Sequence, residues 1–164
     1  MKCFLLMFVL LLNCSVLSAM ANHVSEVQSV NLEGIHVHEA ILEKFRVSND
    51  PLKFLRDAAL KEVDGEDLDA HRQKATVIRF LGRIGGTNAF TTVVRELDFV
   101  DKSSGSFPSA YALIDMGETV VPALFEHILT LDPVKDYLKI SSAAWAIRTV
   151  LGDEQFDELL EDIA

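Results

Sequence analysis

Ser109-Ala110-Tyr111-Ala112-Leu113-Ile114-Asp115-Met116-Gly117-Glu118-Thr119-Val120-Val121-Pro122-Ala123-Leu124-Phe125 is the stretch that decides the fold. An alanine-rich segment ends at a glycine, and an amphipathic segment with a proline near its start follows. The small residues allow two helix backbones to approach closely, while Tyr111 fills the space above them. The same order returns in Ala143-Ala144-Trp145-Ala146-Ile147 before Gly152. Aligning Gly86, Gly117 and Gly152, at spacings of 31 and 35 residues, exposes the repeat. Three, four, seven, eight and eleven residues beyond each glycine stand Ala89, Phe90, Val93, Val94 and Leu97, then Val120, Val121, Leu124, Phe125 and Ile128, then Gln155, Phe156, Leu159, Leu160 and Ile163. Fourteen of these fifteen are apolar, and those offsets trace one face of an α-helix. The predicted unit is helix, glycine turn, helix, written three times at a period typical of helical repeats.

These residues resemble the HEAT repeat family, particularly its short bacterial form, where an Ala-rich helix ending in a Leu/Ile/Met-Gly turn precedes a helix beginning Val-Pro-x-Leu. Val121-Pro122-Ala123-Leu124 matches that start closely, whereas Asp153-Glu154-Gln155-Phe156 and Asn88-Ala89-Phe90 match it loosely, without the proline. The resemblance covers about Asp67 to Ala164. It implies an all-α fold, a short α-solenoid of helix-turn-helix HEAT-like repeats with no sheet, occupying residues 37–164. Val37 to Val63 reads as one more degenerate pair that caps the stack, broken at Asp50-Pro51, an N-cap followed by proline at the first helical position.

Punctuation outside the repeat agrees. Gly65 ends the helix that carries Leu52, Leu55, Ala59, Leu60 and Val63, and a helix is predicted from about Asp67 to Arg83. Thr87 is the expected N-cap of the next, running to Leu97; a loop follows over Asp98 to Ser106, and Asp132-Pro133 repeats the cap-plus-proline signal. No alternating β-branched run survives between these marks.

Residues 1–21 read as a secretory signal peptide: Lys2, an apolar run from Cys3 to Leu12, and a small-x-small pattern at Ala19-Met20-Ala21. Ten apolar residues are too few to cross a bilayer, so no membrane span is expected. A lipid anchor at Cys14 is not expected either, because Asn13 stands where lipoprotein signals carry a small residue. Residues 22–36 have no sustained period and read as a flexible arm.

Without 1–21 the chain keeps 14 basic residues, all 25 acidic ones and neither cysteine, a balance of −11. Disulfide scaffolds, cysteine enzymes and Cys-ligated metal sites are thereby excluded for that mature form, and so excess an acidity argues against nucleic acid as a partner. Absence of both disulfides and a glycosylation sequon favours a bacterial periplasm or exterior.

The chemical motifs are weak. His36-Val37-His38 supplies two imidazoles, to which His71 and His127 would add only through folding, so no metal site is assigned. Asp64-Gly65-Glu66-Asp67 fails the calcium-loop pattern at Leu60 and His71 and reads as a helix start. Ser103 to Ser106 reads as solvated linker, and Gly82, Gly85 and Gly86 do not form a phosphate loop. Tyr111 and Trp145, at matching repeat positions, read as core packing. No catalytic residue and no cofactor are assigned.

What remains is a ladder on the second helix of each unit. Thr92, Arg95, Glu96, Glu126, His127, Asp157, Glu158, Glu161 and Asp162 are expected to face outward, where the resemblance implies a concave binding surface. The row is mostly acidic, so the expected partner is another protein, basic in character. The expected role is a non-enzymatic protein-binding module, in one concrete form an inhibitor or immunity protein against a basic toxic enzyme. The alternatives are a bilin chromophore lyase or chaperone, which some short HEAT-like proteins resemble, and a structural part of an envelope assembly.

Overall fold

The computed structural model describes residues 39–161, which lie within one compact unit of the chain. The expected signal peptide over 1–21, Cys14, the arm over 22–36, His36, His38 and Asp162 fall outside the described residues. The architecture there is all-α, as the periodicity predicts. Its helices are α1 (Glu39–Val47), α2 (Pro51–Ala59), α3 (Leu68–Ile84), α4 (Gly86–Arg95), α5 (Pro108–Met116), α6 (Val121–Leu129), α7 (Tyr137–Leu151) and α8 (Asp153–Glu161), with a 3-10 turn at Glu118–Val120 leading into α6. Among the described residues there is no strand, only an isolated antiparallel bridge between Asp101 and Ser106.

The boundaries follow from local chemistry. Asp50 caps α2, its Oδ1 accepting from the Lys53 N–H at 2.9 Å, and Pro51 opens the helix. Asp67 caps α3 in the same way, accepting from the Ala70 N–H at 2.9 Å. Gly85 closes α3 by donating its N–H to the Leu81 carbonyl at 3.0 Å, with φ 71°, a left-handed conformation that a side chain resists. Gly117 and Gly152 turn the chain with nearly the same φ, 73° and 84°. The geometric repeat therefore runs through Gly85, Gly117 and Gly152, one residue earlier in the first unit than the alignment on Gly86, and Thr87 lies inside α4 instead of capping it. Asp132 also departs from expectation. Its Oδ1 accepts from the Val134 and Lys135 N–H groups, but this closes a single turn, and α7 begins only at Tyr137.

Packing links α5 to α3 on one side and to α7 on the other, while α4 lies against α2, α3 and α5, and α6 and α8 each lie against α7. This pattern is compatible with a short helical solenoid. Leu55, Ile78, Leu81, Val93, Leu97, Leu113, Leu124 and Ile147 form the buried centre, and Phe45 brings α1 onto Phe80 with ring centroids 4.9 Å apart.

The tightest approach lies between α3 and α5. A Cβ placed on Gly82 would stand 2.5 Å from Ala112 Cα and 2.6 Å from its carbonyl oxygen. Those are backbone atoms and cannot swing aside, so the two helices would have to separate. Gly82→Ala gains up to about 1 kcal/mol of helix propensity, but overpacking at such a contact costs about 1–3 kcal/mol. With backbone as the obstacle the cost should prevail, and urea denaturation should show the variant less stable than wild type. A variant as stable as wild type would mean that the approach is looser than described.

Candidate binding surface

The ladder of nine residues divides once the helices are placed. Arg95, Glu126, Asp157, Glu158 and Glu161 are exposed, and His127 is half-buried. Thr92 is not on the surface: it is only 2% exposed, its Oγ1 donating to the Asn88 carbonyl at 3.0 Å. Helix α4 is packed by three neighbours instead of one, so its buried arc is wider than the repeat offsets indicate. The hydroxyl is satisfied within its own helix and tolerates burial.

Glu96 is likewise drawn inward. Its Oε2 lies 2.7 Å from Lys74 Nζ, with side chains 15% and 8% exposed respectively. Lys74 Nζ also donates to the Lys61 carbonyl at 3.1 Å and sits 4.7 Å from the Phe99 ring centroid, while the Glu96 carbonyl accepts from Ser109 Oγ at 2.6 Å. Glu96 thus joins α3, the chain before it, and the start of α5. It is a structural residue, not a rung of a binding ladder.

The remaining rungs form a one-signed surface. Among the described residues, Glu126, Asp157, Glu158 and Glu161 take part in no ion pair, and only Asp153 on that helix is engaged, by Arg148 Nε at 2.6 Å. The acidity is also unevenly spread. Residues 117–161 carry nine carboxylates against three Lys or Arg, whereas residues 39–116 carry thirteen against eleven.

The loop between α4 and α5 is tightly organised, contrary to its reading as solvated linker. Buried Asp101 accepts from the Ser103 N–H at 2.9 Å, from Ser103 Oγ at 3.0 Å and from Ser104 Oγ at 2.7 Å, and its backbone N–H donates to the Ser106 carbonyl at 2.9 Å. Burial, the largest single influence, acts to raise the Asp101 pKa. The Ser104 and Ser103 hydroxyls, the Ser103 N–H and the nearby His71 together outweigh it and hold the carboxyl below its ordinary range. His71 is buried and stacked on Phe99 at 5.4 Å. Its ring nitrogens make no hydrogen bond, so it activates no serine here. Among the described residues, no three His, Cys, Asp or Glu are placed to hold a metal ion.

This loop forms one wall of a groove of about 320 Å³, lined by Gly105, Ser106, Phe107 and Tyr111 from the α5 side and by Leu138, Ser141, Ser142 and Trp145 from α7. Tyr111 and Trp145 are therefore not core residues. They are 40% and 41% exposed and meet edge to face, 83° apart with centroids at 5.1 Å, while Arg79 lies over the Tyr111 ring. The repeat placed them at equivalent positions on adjacent helices, and α5 and α7 leave that edge uncovered. One signal for the groove was present in the sequence: Leu138, Ser141, Ser142 and Trp145 are spaced i, i+3, i+4, i+7, a single helix face. Which face remains open is a matter of packing.

The chain matches no protein-family model, no curated protein and no solved structure.

Two stability predictions follow from the buried polar groups. Glu96→Ala leaves the Lys74 ammonium buried without its carboxylate and should cost about 3 kcal/mol, measured by denaturant titration. Because the folded state depresses the Asp101 pKa, its contribution is complete above the unfolded carboxylate value, about 3.9, and is lost as pH falls through the lower folded value. The stability difference between wild type and Asp101→Asn should therefore hold steady from pH 7 toward 4 and shrink below that. A difference that grows on acidification would contradict the assignment.

Proposed function

We propose that this chain is an exported, non-enzymatic HEAT-like repeat module that binds a basic protein partner, with inhibition of a basic enzyme as its concrete form. The observation that carries this reading is the unpaired acidic face of the last two hairpins, Glu126, Asp157, Glu158 and Glu161. Carboxylates without intramolecular cations retain their field for a partner. Such a field accelerates encounter with an oppositely charged surface and is screened beyond about 10 Å at 0.1 M salt. Three features support a binding role: the helices present the carboxylates as a row, they are held by a rigid core, and Thr92 and Glu96 are withdrawn into that core.

The test is capture from periplasmic extract on the immobilised chain at low and high salt, with the isoelectric point of each retained protein determined. A basic partner should be retained at low salt and released at high salt. Combined Asp157→Lys, Glu158→Lys and Glu161→Lys should reduce its capture at least tenfold without altering the helical circular dichroism. An acidic partner, or one held independently of salt, would count against the proposal.

A further inference from the structure

The groove beside Tyr111 and Trp145 has a composition that selects its occupant. Although 24% of the chain is charged, none of the eight lining residues is. The side-chain polar groups are three serine hydroxyls, the Tyr111 hydroxyl and the Trp145 indole N–H, and every one of these can donate a hydrogen bond. Two of the serines are also unengaged. Thr76, Thr91, Thr92 and Thr149 each return their hydroxyl to the carbonyl four residues back. Ser141 and Ser142, also within a helix, make no hydrogen bond among the described residues, although Ser142 is only 5% exposed. A nearly buried hydroxyl on the wall of an open groove, left without a partner by its own helix, points to a ligand acceptor.

From this geometry we infer that the groove binds a proline-rich peptide segment in the polyproline II conformation. The inference rests on the reading of the chain as a protein-binding module and names the kind of segment it takes. Polyproline II has no internal hydrogen bonds, so its carbonyls are free to accept, while proline has no N–H to satisfy. A groove rich in donors, without charge and walled by perpendicular aromatic rings complements that ligand: pyrrolidine rings pack against Tyr111 and Trp145, and carbonyls receive the serine, tyrosine and indole donors. The charge balance adds the flanks. Helix α7 carries one wall and belongs to the segment with nine carboxylates against three cations, so arginines beside the prolines strengthen binding at low salt. A sugar would satisfy the ring stacking, but its hydroxyls also require acceptors, and the lining has no carboxylate or amide side chain to provide them.

Trp145 is the only tryptophan of the chain, so its fluorescence reports directly on the groove. The full chain is titrated with hexaproline flanked by two arginines at each end, with hexaproline flanked by Gly-Ser, and with a Gly-Ser hexamer carrying the arginine flanks. Maltotriose and cellotriose form the glycan arms. Both proline peptides should change Trp145 emission saturably below about 1 mM, a weak but specific range, with severalfold tighter binding from the arginines at low salt. Tyr111→Ala should weaken binding at least tenfold and Ser142→Ala severalfold, in proteins whose circular dichroism is unchanged. Ser142→Ala, a loss of one oxygen, keeps the test valid should the tyrosine variant fold poorly. Absence of a saturable response to either proline peptide, full affinity in both variants, or saturation by an oligosaccharide in place of the peptides would overturn the inference. Failure of the two readings is separable. Salt-sensitive binding of the Gly-Ser arginine peptide without a proline response removes the groove and leaves the acidic face standing. Proline binding that gains nothing from arginine supports the groove and removes the basic partner.

Discussion

The close approach of α3 to α5 at Gly82 and Ala112 is the constraint on which the rest of the structure depends. With one Cβ missing and the other reduced to a methyl, the helix backbones come nearer than branched side chains allow. Everything around that crossing inherits its position. Helix α4 is brought against α2, α3 and α5 together, the start of α5 reaches the end of α4 so that Ser109 can bond the Glu96 carbonyl, and α5 presents its far side to α7. Leu81 and Leu113, adjacent in sequence to the two contact residues, are sealed in the core as a result.

A polar cluster reinforces the same region. Lys74 and Glu96 are removed from water together, and such a pair holds its place only when the remaining donors and acceptors are met. Lys74 also bonds the Lys61 carbonyl and rests over Phe99. On the outer edge, Asp115 receives Arg83 Nε at 3.1 Å and Arg79 at 3.5 Å, fastening α3 to α5 from the opposite side. Arg79 also covers the Tyr111 ring, which limits how that ring can turn. The groove is thus built on elements that are rigid for reasons unrelated to any ligand. Its loop wall is held equally firmly by the Asp101 bonds and by Lys102 Nζ, which donates to the Gly65 carbonyl at 3.1 Å.

Legibility differed by kind of residue. Helices were readable because caps and turns act within a few residues: Asp50, Asp67 and Gly117 do what their types and neighbours predict. Small shifts came from competition between equally good local signals. Gly85 and Gly86 are adjacent, and only the bond to Leu81 decides which one ends α3; Asp132 closes its own turn before α7 begins. Larger departures came where a second or third helix sets exposure. Thr92 and Glu96 sit at outward offsets of a two-helix unit and are buried by additional neighbours, while Tyr111 and Trp145 sit at apparent core offsets and remain open.

By itself the sequence determined the all-helical architecture, most helix boundaries, the glycine turns and the excess of carboxylates toward the C-terminal side, because each rests on backbone preferences or on composition. Tertiary structure alone decided which glycine sets the repeat, which carboxylate is paired inside, and which aromatic pair borders a groove. Exposure and partnership arise between segments distant along the chain, and they are settled by how closely α3, α5 and α7 approach one another.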